Sequence, residues 1–162
     1  MCLLVMVAGL PVAAQQWPPP LEFRSLRVGL PVSELRGVVR TLGGSLACRP
    51  SRDARIGECT GSLRFQPRGP RFSLIVAAVR DSAAVVILTA PVPPDSVAAW
   101  VEAIEPFQGR VEPRSRGPQR TWQWVRRRQM LRVIQRRENG RHVATVTLTD
   151  GPLLDGLGRE TR

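Results

Sequence analysis

Residues Met130–Thr149 read MLRVIQRRENGRHVATVTLT, two runs of alternating side chains on either side of Asn139-Gly140. Asn-Gly accepts the positive φ that a two-residue hairpin turn needs. The stretch therefore predicts two antiparallel strands joined at Glu138-Asn139-Gly140-Arg141. On the first strand, Leu131 and Val133 face one way with Gln135, while Met130, Arg132, Ile134 and Arg136 face the other. On the second, Val143, Thr145 and Thr147 oppose Ala144, Val146 and Leu148.

Upstream, FSLIVAAVRDSAAVVILT (72–89) repeats the device with apolar strands joined at Arg80-Asp81-Ser82. The charged pair in its middle and the branched residues around it predict a buried hairpin, not a membrane span. Further strands are expected over Cys59–Phe65 and Gln119–Val125, with shorter ones around Ser45–Cys48 and Arg110–Glu112. Two helices complete the pattern. In VGLPVSELRGVVRTLGG (28–44), Leu35, Val38, Val39 and Leu42 share one helical face. Ser33 is placed to cap its start and Gly43-Gly44 to end it. In PPDSVAAWVEAIEPFQG (93–109), Val97, Trp100, Val101 and Ile104 have the same spacing, Asp95 takes the place of Ser33, and Pro106 is expected to stop the helix.

The order helix, then strands, occurs twice, which predicts an α+β chain of two tandem units, 29–92 and 93–162, each one helix followed by three to four antiparallel strands. The second closes in a short tail whose Leu153, Leu154 and Leu157 form an amphipathic turn. This arrangement, with Gly29-Leu30-Pro31-Val32-Ser33-Glu34-Leu35 leading into the first helix, resembles the β-lactamase-inhibitory-protein architecture and the related small lipoprotein domains of outer-membrane assembly. The resemblance implies a protein-binding module without catalysis that uses an aromatic-rich sheet face.

Residues 1–14, MCLLVMVAGLPVAA, read as an export signal: a short apolar run, then small residues before a cleavage point between Ala14 and Gln15. The run carries no Lys or Arg ahead of it and is too short to span a bilayer. Residues 15–28 form a proline-containing lead-in. Removing the signal removes Cys2 and leaves Cys48 and Cys59, an even pair in an exported chain, expected as one disulfide in a periplasmic or extracellular protein.

Composition excludes several chemistries. All 24 basic residues are arginine. Without lysine there is no Schiff-base chemistry, no pyridoxal phosphate attachment and no GxxxxGK phosphate loop. One histidine, His142, allows neither an HExxH pair nor a multi-histidine metal site, and it serves as an acid–base group only if the fold brings Asp150 or Asp81 to it. No cofactor, metal or catalytic residue is assigned, and a hydrolase is kept only as an alternative with an unrecognised site.

The net charge of +11 is concentrated: Arg110 to Arg141 holds eleven arginines against Glu112 and Glu138. Within it TWQWVRRRQMLRVIQRR (121–137) places Trp122 and Trp124 on one strand face, extended by Arg126 and Arg128 if the strand runs on. Three readings fit. The arginines are a solvated outer face over core tryptophans. Alternatively Trp122, Trp124, Arg126, Arg128, Arg132 and Arg136 are a contact face for another envelope or extracellular protein, since Trp and Arg are enriched at interface hot spots. In the third reading they bind anionic lipid headgroups, acidic polysaccharide or nucleic acid, the last disfavoured by export.

Overall fold

A computed structural model describes residues 19–51 and 53–159; the signal over 1–14 lies outside them. The chain runs α1 (Val32–Thr41), β1 (Ser45–Pro50), β2 (Ile56–Leu63), β3 (Phe72–Val79), β4 (Ser82–Pro91), α2 (Ser96–Gln108), β5 (Arg114–Arg116), β6 (Gln119–Arg126), β7 (Gln129–Glu138), β8 (Arg141–Asp150) and α3 (Gly151–Arg159). The strands form one antiparallel sheet in the order β1-β2-β3-β4-β8-β7-β6-β5.

This corrects the expected α+β chain of two tandem units. There is one mostly β body, because β4 and β8, each the last strand of its run, pair with each other from Val85↔Thr149 to Pro91↔Val143. Two unpaired strand edges are thereby converted into the middle of a sheet, where backbone groups are satisfied and apolar residues on both strands share one core. Leu88 faces Val146 and Val86 faces Leu148 across that seam, all four buried.

Local chemistry sets the turns. Three two-residue hairpin loops use consecutive positive φ: Arg80 (48°) with Asp81 (62°), Arg127 (47°) with Arg128 (64°), and Asn139 (48°) with Gly140 (78°). That geometry matches the right-handed twist of the flanking strands. The second and third arginines of RRRQ, Arg127 and Arg128, are thus the turn, and β6 ends at Arg126.

Strand alternation sorts the sheet into two faces. Leu74, Val76, Val86, Leu88, Val146, Leu148, Leu131, Val133, Trp122 and Trp124 point to a single core shared with Leu35 and Val39 of α1 and Val97 and Trp100 of α2. The lead-in contributes to it as well. Leu21, Phe23, Leu26 and Val28 are buried, and Phe23 packs edge-on against Phe65 and Trp100 at 5.6 and 5.5 Å. Each such side chain, fully buried, stabilises by about 1.5–3 kcal/mol, so residues 19–31 are part of the core and not a tether to it.

The helix ends differ from expectation in two places. Ser33 lies inside α1, whose N-cap is Pro31 with no side-chain bond; Val32 N–H instead donates to Asp81 O at 2.8 Å, so the β3–β4 turn caps the helix. Pro106 does not stop α2, which runs to Gln108 and ends at Gly109 with φ +83°. Gly43-Gly44 does end α1: Gly43 (φ +71°) donates to Arg40 O and Gly44 to Val39 O.

Cys48 and Cys59 sit directly opposite each other on β1 and β2 and form the disulfide. Beside them, Gly61 faces Leu46 across the same pair of strands. A Cβ on Gly61 would lie 2.0 Å from Ser45 O and 3.1 Å from Leu46 Cα, both backbone atoms unable to yield cheaply. Gly61→Ala should therefore destabilise by about 2–3 kcal/mol or more. Gly57→Ala, whose Cβ would meet only the Ala78 methyl at 3.6 Å, should cost well under half of that in denaturant titration.

Candidate functional site

The arginine-rich hairpin is built by β6, the Arg127-Arg128 turn and β7, and its two faces do different jobs. Trp122 and Trp124 are 5% and 3% exposed, inside the core. Alternation puts Arg126 on their face. The last turn of α2 leaves carbonyls without helical partners, and this face supplies them. Trp124 Nε1 donates to Gly109 O at 2.7 Å, and Arg126 Nη2 donates to Gln108 O at 3.1 Å. A guanidinium at the negative end of a helix dipole is also electrostatically favourable. Arg120 stacks over the Trp122 ring at 5.0 Å, covering it with a cation instead of leaving it to a partner.

Arg132 and Arg136 lie on the opposite face. Arg132 is held flat by Gln123 Oε1, which accepts from its Nε at 3.0 Å and its Nη2 at 2.7 Å. Arg136 pairs with Glu138 at 2.7 Å. Arg128, in the turn, pairs with Asp155 of α3, and its carbonyl accepts from Gly151 N at 3.0 Å. The six residues read from the sequence as one contact face are therefore divided: Trp122, Trp124 and Arg126 toward the helices, Arg132 and Arg136 away from them, Arg128 at the sheet's end.

The face away from α1 and α2, one end of which meets α3 along β3, β4 and β7, was not singled out by sequence. It runs across the sheet in registered rows. One is Ala47, Thr60, Ile75, Ile87, Thr147, Arg132, Gln123; the next is Ser45, Ser62, Ser73, Thr89, Thr145, Ile134, Thr121. All of these are partly or fully exposed, and Ile75 is 50% and Val125 60% exposed. Among the described residues this face carries no aromatic side chain. Thr89 and Thr145 hydroxyls lie 3.3 Å apart across the β4–β8 seam. The alternation in TVTLT and VVILT held this signal, since every second residue is β-branched: Thr in the first, and Val, Ile and Thr in the second.

Among the described residues, His142 is not brought to Asp150. It opens β8 while Asp150 closes it, about 27 Å away at strand rise. Asp150 is 6% exposed and spent on structure: Oδ2 accepts from Gln129 Nε2 at 2.8 Å, and Oδ1 from Leu153 N at 3.0 Å, which caps α3. A recess of about 650 Å³ beside it presents Arg126, Arg127, Gln129 and Asp150 among prolines and leucines. Asp53 is held at about 2, below its ordinary 3.8, by hydrogen bonds from the Arg55 side chain and backbone N–H, a local ion pair in the β1–β2 loop. Among the described residues no group of three or more His, Cys, Asp or Glu could hold a metal ion, and no helix is long and apolar enough to cross a membrane.

Comparison with family models, with curated proteins and with solved structures finds no match.

The tryptophan's role gives a direct check. Trp124→Phe removes the part-buried hydrogen bond to Gly109 O, so it should lower stability by about 1 kcal/mol. Trp124→Ala should lower it by about 3–5 kcal/mol, both read as shifts in thermal midpoint.

Proposed function

We propose that this protein is an exported, non-catalytic binding module that contacts another envelope or extracellular protein through the open face of its sheet. The observation that carries this reading is the exposure of Ile75 and Val125, with half-buried Ile87 and Ile134 beside them among threonines, on one face of the sheet. Water-exposed aliphatics in registered rows favour burial against a complementary surface. Arg132 and Arg136 stand within and beside that patch, where they suit carboxylates at a partner's rim. The Cys48–Cys59 disulfide is compatible with an oxidising compartment.

The proposed epitope comprises Ile75, Ile87, Thr145, Thr147, Arg132 and Arg136, with Trp122 and Trp124 beneath it on the core side of the sheet. Phe107, 66% exposed on α2, lies on the helical side and serves as an internal control.

A photo-crosslinkable residue at position 75 or at position 107, presented to envelope extract, tests the proposal. Position 75 should yield one discrete protein adduct, abolished by Ile87→Asp in a variant that keeps its thermal midpoint and surviving several-fold higher salt. Equal adducts from both positions, no protein adduct, or retention of anionic phosphatidylglycerol vesicles that salt alone releases would overturn it.

A further inference from the structure

The sheet has two edges, and the chain treats them differently. β5 is three residues long, Arg114–Arg116, fully exposed and set between Pro113 and Gly117-Pro118. Short length, charge and proline are how proteins blunt an edge against pairing. β1 carries fewer of these guards. It spans six residues, and Ser45, Ala47 and Arg49 are exposed along it.

The hydrogen-bond pattern shows which backbone groups this edge offers. Ser51 N donates to Ile56 O at 3.3 Å, which makes that pair hydrogen-bonded in the β1–β2 register. Antiparallel pairs alternate, so Leu46↔Gly61 and Cys48↔Cys59 belong to the class whose N–H and C=O point away from the partner strand. For β1, away from β2 is the open side of the sheet. Pro50 has no N–H, which closes this ladder at one end; Gly44 N–H is taken by Val39 O at the other. The edge thus presents two donor–acceptor pairs, at Leu46 and Cys48, unpartnered among the described residues. The disulfide fixes one of those two residues directly to β2, so the ladder is held in place before anything binds.

The surroundings say what fits. Arg49 lies on one side of the edge, directly opposite Glu58 of β2, and among the described residues the two form no ion pair. On the other, Arg36 Nη2 is 3.6 Å from Cys48 Sγ, and Arg40 is exposed in the last turn of α1. Guanidinium groups flank the edge on both faces, and a second copy would bring the same arginines and a net charge of +11 against them. We infer that the β1 edge accepts an extended, acidic segment of a partner polypeptide as a ninth strand, paired through the Leu46 and Cys48 backbone and steered by Arg36, Arg40 and Arg49. This site needs only the edge and goes beyond the open-face reading.

The test uses the oxidised, isotope-labelled full chain and three short synthetic peptides: alternating threonine and glutamate, alternating threonine and lysine, and the acidic peptide N-methylated at every residue. The acidic peptide should slow exchange of the Leu46 and Cys48 amide hydrogens by about tenfold or more at saturation, in wild type and in Ile87→Asp alike. The lysine and N-methylated peptides should leave both amides unprotected. Failure of the acidic peptide to bind, binding without protection of those two amides, or equal binding of its N-methylated counterpart would overturn the proposal. So would light scattering that shows a dimer in which both amides are already protected.

Discussion

Everything in this structure depends on β4 pairing with β8. The seam joins strands some sixty residues apart in the chain and fills the centre of the sheet with mutually buried pairs, Val86 with Leu148 and Leu88 with Val146. Were those strands left as edges, each would expose a long aliphatic ladder, a template for aggregation. Joined, they give a single core wide enough to bury two tryptophans, and an opposite face wide enough to be a surface. The loop-closure cost of so distant a pairing is modest in stability, because it grows only with the logarithm of length, although it slows folding.

The arginine excess is distributed by the same architecture. Arg126 is drawn to the α2 C-terminus, where orphan carbonyls need donors, and Arg120 covers a tryptophan ring. Arg128 reaches α3 through Asp155, Arg55 closes the β1–β2 loop on Asp53, and Arg132 and Arg136 remain on the open face. Within the stretch that looks like one basic patch in sequence, Arg120, Arg126, Arg128, Arg132 and Arg136 each meet a different local partner. The surface that distinguishes the molecule is aliphatic and threonine-rich, with Arg132 within it and Arg136 beside it.

Much of the local structure was legible. Asn139-Gly140 and Arg80-Asp81 marked hairpins, the i, i+3, i+4 spacing marked α1 and α2, and the cysteine count marked the disulfide. What was not legible is what local pattern does not encode. The β4–β8 register has no sequence signature, because both strands alternate branched apolar and small residues that would serve equally in two separate sheets. Alternation put Trp122 and Trp124 on one face but could not say which face the helices cover. Ser33 was a plausible cap that lost to the Asp81 carbonyl, brought in by the turn. Pro106 was tolerated because it stands within the final turn of α2, near the helix end. The lead-in's Leu21 and Phe23 alternate as a buried strand would, a signal masked by the prolines before them.

The central claim is that β4 and β8 are neighbours in one sheet. Val92 N donates to His142 O at 2.9 Å, so in the alternating register Thr89↔Thr145 is a closely spaced, non-hydrogen-bonded pair, the geometry that a cross-strand disulfide accepts. Peptide mapping of an oxidised Thr89→Cys/Thr145→Cys double variant measures this directly. The account predicts a new 89–145 link beside the native Cys48–Cys59 bond, with the thermal midpoint kept or raised. Free thiols at both positions, or scrambling with Cys48 and Cys59, would contradict the single sheet and return the chain to two separate units.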